Sequence, residues 1–179
     1  MNIDFQAQRV KMVDGQLRTT DVTGHALLQA YLDVPREMFV PQAKRALAYL
    51  DADIEIAPGR FLGEASPVAK LIALAGQAQD NLRACGAGNV SVEVGDMASG
   101  CAKRGPYDVI VFSGSIADVP PALFDQLKSG GRLAAVVGSE KLGAARLFVK
   151  TSGDVSSRFG FNAALKPLPG FNHAPVFAL

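Results

Sequence analysis

Tryptophan is absent from this chain, cysteine occurs only twice, and neither sign of charge prevails. Each shortage removes a class of function. Eighteen Lys and Arg against seventeen Asp and Glu give a formal net charge of +1. With no basic run and no aromatic residues interleaved with Lys or Arg, a nucleic-acid partner has no support. Cys85 and Cys101 lack metal-ligand spacing and a neighbouring His, so they read as free thiols and no metal is expected. The longest apolar stretches are too short to cross a bilayer, and the N-terminal MNIDFQAQRVK has no apolar core like that of a signal peptide. A soluble, cytoplasmic protein without a membrane partner is expected. His25 and His173 have no acid beside them in sequence, so no catalytic base is assigned.

What the chain does have is apolar substance: 49% of its 179 residues are hydrophobic. That suffices for one domain, 1–179, divided into an N-terminal helical segment (1–60) and an α/β core (61–179). Asp4 to Arg18 reads as a helix with Val10, Val13 and Leu17 on one stripe. Thr23 to Leu32 reads as a second, with Leu27, Leu28, Tyr31 and Leu32 on its apolar face and Asp21 or Thr23 as N-cap. Val34-Pro35 ends it, because the residue before proline is pushed out of the α region. Pro41 to Tyr49 reads as a third short helix, and Asp51 to Arg60 as an exposed strand or loop. Val68, Leu71, Ile72 and Ala75 then have helical spacing, which predicts a helix from Pro67 to about Gln79 with Ser66 as its cap.

The stretch GPYDVIVFSGSIADVPPALFDQLKSGGRLAAVVG, Gly105 to Gly138, is the most informative. Tyr107 to Phe112 is almost wholly apolar and β-branched, as a strand covered on both faces must be. Ser113 to Val119 breaks it. Pro120-Pro121 opens a helix carrying Leu123, Phe124 and Leu127, and Gly130-Gly131 closes it. Arg132 to Val137 is a second buried strand, so the whole is one βαβ unit of a doubly wound sheet. Val90 to Val94 alternates as a further strand, and it is expected to lie parallel to these two. Ala145 to Lys150 and Val155 to Ala163 read as antiparallel strands on the far side of the sheet.

At these residues the chain resembles the protein-L-isoaspartate O-methyltransferases. PYD with its apolar strand, VPPALFDQLKSGGRL, MVDGQLRTTDVTGHALLQAYLDVPREMFVP (Met12 to Pro41) and NVSVEVGD (Asn89 to Asp96) carry the likeness. The resemblance implies a Rossmann-like sheet, S-adenosylmethionine as cofactor, and a protein or peptide containing isoaspartate as substrate. It further implies that Gly95, Asp96 and Met97 meet the adenine, with Asp96 accepting from its amino group, and that Ser113-Gly114 lies beside the methyl donor.

Two departures stand against the family pattern. Where it carries a Thr-Ile-Ser-x-Pro-His substrate motif, this chain has Phe61, Leu62, Gly63, Glu64, Ala65 and Ser66, so Phe61, Leu62, Gly63 and Ser66 are the candidate substrate contacts. Only Ser66 has a hydroxyl. The second departure is larger: the first βαβ unit, with its glycine-rich cofactor turn and the acid for the ribose, is missing where Ala75 runs straight into Gly76. Either the natural protein lacks it or the sequence omits a segment. Packing favours omission, since removing the first strand strips partners from its neighbours. Gly86-Ala87-Gly88 does not replace the turn, because it ends a helix and precedes a strand.

The expected function is methylation of an isoaspartyl carboxylate in damaged protein. That nucleophile needs alignment more than acid-base help. The alternatives are a weak or inactive relative serving as a binding or regulatory module, and a methyltransferase for another substrate. The apolar Phe61-Leu62 stretch predicts weak isoaspartyl turnover.

Overall fold

A computed structural model describes residues 3–76, 93–139 and 141–171. The chain divides into two compact units, Met1–Ala84 and Cys85–Leu179.

In the first unit, helix α1 (Phe5–Met12) begins where the Asp4 carboxylate accepts from the Ala7 N–H at 2.9 Å. It passes into a π-turn, Val13–Leu17, and a 3₁₀ turn, Arg18–Thr20. The single regular helix expected over 4–18 is therefore widened in its C-terminal third. Gly15 favours the helix weakly, and the Thr19 and Thr20 hydroxyls donate back to the Gly15 and Gln16 carbonyls, each at 2.7 Å. The widening moves the apolar face, so Met12, Val13 and Leu17 are buried while Val10 is exposed. Helix α2 (His25–Asp33) starts at Gly24 with no side-chain cap, and Asp21 instead takes a left-handed conformation (φ 66°). Neither Asp21 nor Thr23 caps it. Leu28 is buried and Leu27, Tyr31 and Leu32 pack on the same cluster, as their spacing predicts. Val34, before Pro35, is extended and stops the helix.

The segment after Pro41 is a 3₁₀ turn (Gln42–Leu47). Strands β1 (Ile54–Ala57) and β2 (Arg60–Leu62) form an antiparallel hairpin around Pro58-Gly59, in which Ile54 faces Leu62. Helix α3 (Ala65–Gly76) starts two residues earlier than expected, and Ala65 and Ala69 join the cluster of Met12, Leu17, Leu28 and Ile54. It thus packs with the N-terminal helices, whereas the sequence grouped it with the α/β core.

The second unit is built on a four-stranded sheet in the order β3 (Tyr107–Ile116), β4 (Leu127–Gly138), β5 (Gly143–Lys150), β6 (Val155–Ala163). β3 and β4 are parallel, and β4, β5 and β6 are successively antiparallel. This is the strand-helix-strand unit expected between Gly105 and Gly138, with two corrections. First, helix α4 (Pro121–Asp125) is only five residues long and Leu127 already belongs to β4. Gly130 and Gly131 do not end the helix. They form a bulge opposite Asp108, where Gly130 has φ 79° and a Cβ on Gly131 would meet the Lys128 and Tyr107 carbonyls at 2.8 and 2.9 Å. Second, β3 does not stop at Phe112 but runs to Ile116. The Ser115 N–H donates to the Lys166 carbonyl (3.0 Å), and the Leu168 N–H donates back to Ser115 (2.9 Å). A distant segment thereby holds extended what looks locally like a turn.

Phe112, Ile116, Leu123, Leu127, Leu133, Ala135 and Phe171 form this unit's cluster, with Phe112 and Phe171 edge to face at 5.2 Å. Of the strand expected over Val90–Val94, only Glu93 and Val94 are described, and neither is in a strand. Gly86-Ala87-Gly88, Cys85 and His173 lie outside the described residues. Among the described residues no helix is long and apolar enough to cross a membrane, and no group of His, Cys, Asp and Glu could hold a metal.

Candidate functional site

The substrate-side candidates lie in the first unit and the cofactor-side candidates in the second. Phe61 and Leu62 stand on β2, and Gly63 follows it. The Arg36 guanidinium fastens this exit, donating to the Gly63 carbonyl and, at 2.7 Å, to that of Ala48. Burial lowers the Arg36 pKa, partly offset by Tyr31, Tyr49 and Asp53. Beside it, the Glu64 N–H donates to Asp53 Oδ1 (3.1 Å), and burial together with the Asp53 and Asp51 charges raises the Glu64 carboxyl.

Ser66 is not the N-cap expected of it. It sits inside the first turn of α3 with its Oγ 2.7 Å from Thr20 Oγ1. The Thr20 hydroxyl has one proton, which goes to the Gln16 carbonyl at 2.7 Å. Ser66 is therefore the donor to Thr20, and neither hydroxyl keeps a proton for a substrate carboxylate. Thr20 gave no sign of this role in sequence, being 46 residues away.

On the cofactor side, Asp96 opens a 3₁₀ turn, Met97–Ser99, accepting from the Ala98 N–H at 3.0 Å and the Ser99 hydroxyl at 2.9 Å. Gly95, Asp96 and Met97 are all exposed. Each Asp96 oxygen has accepted one bond and keeps a lone pair toward solvent, so an exocyclic amino group can be received there with the exposed Met97 beside it. These residues fit an adenine. Gln126 fixes the turn: its Oε1 accepts from Cys101 N–H (2.8 Å), while its Nε2 donates to the Ser99 and Ala122 carbonyls (2.8 and 3.1 Å). This buried amide was missed in sequence, where a glutamine in FDQL looks like any helix-surface residue. Gly100 makes the close approach possible, since a Cβ there would lie 2.5 to 2.8 Å from Leu123 and Gln126 side chains.

Ser113 is exposed on β3, available to a ligand. Gly114 is not, because a Cβ there would meet Leu168 and the Lys166 carbonyl at 2.7 to 2.8 Å. The chain's own C-terminal segment thus covers Gly114 and leaves Ser113 open. Ser115, fully buried next to it, has a hydroxyl with no hydrogen-bond partner among the described residues.

Comparison with known proteins bears on these features. A family model, protein-L-isoaspartate(D-aspartate) O-methyltransferase, matches residues 63–162, which include every cofactor-side candidate. A protein-L-isoaspartate O-methyltransferase from Koribacter versatilis is 30% identical over 83% of this chain and 85% of its own length. The enzyme named protein-L-isoaspartate O-methyltransferase 1 from Rhodopseudomonas palustris is 31% identical over 76% and 72%. The Koribacter match runs over 188 positions, yet 83% of 179 residues is about 149, so about 39 positions of that relative in total stand opposite gaps. That is the length of a βαβ unit. Among solved structures, a protein-L-isoaspartate O-methyltransferase superposes with a TM-score of 0.72 at 20% identity, over 90% of this chain and 66% of that one. A β-aspartate methyltransferase from Plasmodium falciparum in complex with S-adenosyl-L-homocysteine superposes with 0.68 at 12%, over 93% and 99%. These establish the Rossmann-like methyltransferase fold. The chain belongs to the protein-L-isoaspartate(D-aspartate) O-methyltransferase family.

Proposed function

We propose that this chain is an S-adenosylmethionine-dependent methyltransferase acting on the carboxylate of isoaspartyl residues in damaged proteins, as a soluble cytoplasmic enzyme. One observation carries the reading. The family match spans an exposed Asp96-Met97 pair, with spare acceptor capacity, in the same unit as a parallel β3–β4 pair. Ser113 lies toward the carboxyl end of β3, where ligands bind in open α/β sheets, whereas Gln126 ties the Asp96 turn beside the start of β4. Asp96 and Met97, following Gly95, would hold the adenine, and Ser113 would face the donor. When bound, the cofactor supplies an electrophilic methyl group. The substrate carboxylate is already ionised at neutral pH, so the protein has to align it and exclude water.

Phe61, Leu62 and Gly63 would line the substrate side without donors of their own, and the Ser66 proton is committed to Thr20. An unmade polar contact of this kind costs about 1–3 kcal/mol, or about one to two orders of magnitude in rate if it acts at the transition state. Slow isoaspartyl turnover is the expected consequence. The module reading is not favoured, since nothing about Asp96 is spoiled for a ligand.

We further propose that the two units belong to one catalytic domain, and that the gapped positions include the missing βαβ unit with its cofactor turn. Intact-mass measurement of the natural protein bears on the loop. A mass above 18.8 kDa is expected, whereas a mass of 18.8 kDa means a true deletion, with cofactor uptake no longer expected. Calorimetric titration of the native chain with S-adenosylmethionine then tests the function. Saturable heat that Asp96→Ala removes is expected, and no heat from the wild-type protein rejects the enzyme reading.

A further inference from the structure

An open recess of about 600 Å³ lies where the β4–β5 hairpin meets the end of β6, and its polar lining is Lys141, Arg146 and Asn162. Lys141 and Asn162 are exposed and Arg146 half-buried. Most other cations with a described setting are engaged: Arg9 with Glu37, Arg18 with Asp14, Lys44 with Glu55, Lys103 and Arg104 with Glu93, and Lys128 with Asp108. Lys150 donates to three carbonyls. Lys141 and Arg146 make no ion pair among the described residues, and no carboxylate lines the recess there; Glu140, next in sequence, lies outside the described residues. Two cations without an ion pair among the described residues, and an amide, thus converge on one hollow in a chain of almost balanced charge.

The hollow is built by backbone. Gly138 has φ 129°, and a Cβ there would lie 2.3 Å from the Leu142 carbonyl; one on Gly143 would lie 2.6 Å from the Ala163 carbonyl and from Val136. Bare backbone at both positions lets the hairpin fold back sharply. Leu142, 85% exposed, stands at the rim as an apolar contact.

Its place in the sheet points to an occupant. Val137, on the recess wall, is the register partner of Ile116, three residues beyond Ser113 on the neighbouring strand. Three residues of strand span about 10 Å, and adjacent strands are about 4.8 Å apart. A substrate chain whose isoaspartate lay by Ser113 would bring a side chain about three to five residues away over the recess.

We propose that Lys141, Arg146 and Asn162 form an acidic subsite, which binds an Asp or Glu side chain flanking the isoaspartate and so biases the enzyme toward damage in acidic segments. This rests on the methyltransferase reading for its biological meaning, but its test reads binding and not turnover. The probes are two fluorescein-labelled eleven-residue peptides with a central isoaspartate, one carrying Glu at three, four and five residues on both sides and the other Gln at those positions. Their anisotropy is followed on the full chain at low and at high salt. Exposed ion pairs are individually weak, so the Glu peptide should bind about 5- to 10-fold tighter at low salt, with the margin shrinking at high salt. The double variant K141Q/R146Q should bind both peptides alike, and the charge-keeping K141R/R146K should retain the preference. Equal binding of both peptides to the wild type, or a preference that survives in K141Q/R146Q, overturns the subsite. A failure here leaves methyl transfer untouched, and absent turnover leaves a measured acidic preference standing.

Discussion

The two units solve the same problem, satisfying backbone polar groups, with different emphasis. In the second, the ladder of β4, β5 and β6 pairs backbone with backbone, in continuous register between β4 and β5 and with one irregularity at Ala145–Arg146 between β5 and β6. In the first, the segments are short and irregular, and side chains do the work. Arg9 donates to the Leu32 carbonyl (3.0 Å), Gln16 to that of Tyr49 (3.0 Å), and Arg36 to those of Ala48 and Gly63. A unit stabilised by a ladder should be most sensitive to losing apolar volume, and one stabilised by side-chain donors to losing a polar group.

The largest effect is expected where the sheet loses volume. Leu133, fully buried between β3 and β5, should cost about 3–4 kcal/mol on change to Ala, read from urea unfolding. Arg36→Ala comes next, at about 3 kcal/mol, because it strips donors from two carbonyls at once. Arg36→Lys should recover less than half, since an ammonium lacks the fork that spans both. If Arg36→Ala proved neutral while Leu133→Ala did not, the contrast between the units would fail.

A third expectation sharpens the contrast through pH. Arg9 Nε donates to the Tyr49 hydroxyl at 2.9 Å, Arg9 pairs with Glu37 at 3.2 Å, and the Tyr49 hydroxyl donates to the other Glu37 oxygen. Burial alone would raise the Glu37 carboxyl, but the Tyr49 hydrogen bond and Arg9 bring it below its ordinary value. Its contribution is therefore complete above the usual carboxylate pKa, about 4.3, and is lost as pH falls through the depressed folded value. Tyr31 behaves in the reverse sense, pushed up to about 12 by burial: it favours the fold below pH about 10, and the benefit is lost as pH rises toward 12. Thermal melts of Glu37→Gln should lose the acid limb and keep the alkaline one. Tyr49→Phe should cost about 1–2 kcal/mol at neutral pH.

The smallest effect is expected at the sheet's surface, where Lys128 and Asp108 pair at 2.8 Å in the open. Lys128→Ala should shift stability by less than about 0.5 kcal/mol.

The same contrast explains what could be read without coordinates. The β-branched runs of β3 and β4, the Pro-Pro start of α4 and the two antiparallel strands after it follow from local chemistry, because burial on a sheet leaves a period in the sequence. The ends of elements did not follow. β3 continues through Ser113-Gly114-Ser115 because Lys166 and Leu168, 51 and 53 residues on, bond to Ser115, and no local rule encodes a partner so distant. The π-turn at Val13–Leu17 and the lost cap of α2 are choices of the first unit's packing. At the candidate site, the turn that Asp96 caps follows from that residue's own chemistry. The roles of Gln126 and Thr20 do not, since each acts only across a fold that brings separate segments together.

Methyl transfer from labelled S-adenosylmethionine to an isoaspartyl peptide, run beside its ordinary aspartyl twin on wild-type, Asp96→Ala and Ser66→Ala proteins, joins the cofactor and substrate halves in one assay. Slow transfer to the isoaspartyl peptide alone is predicted, abolished in Asp96→Ala and unchanged in Ser66→Ala. Equal labelling of both peptides, or full turnover in Asp96→Ala, would contradict the assignment.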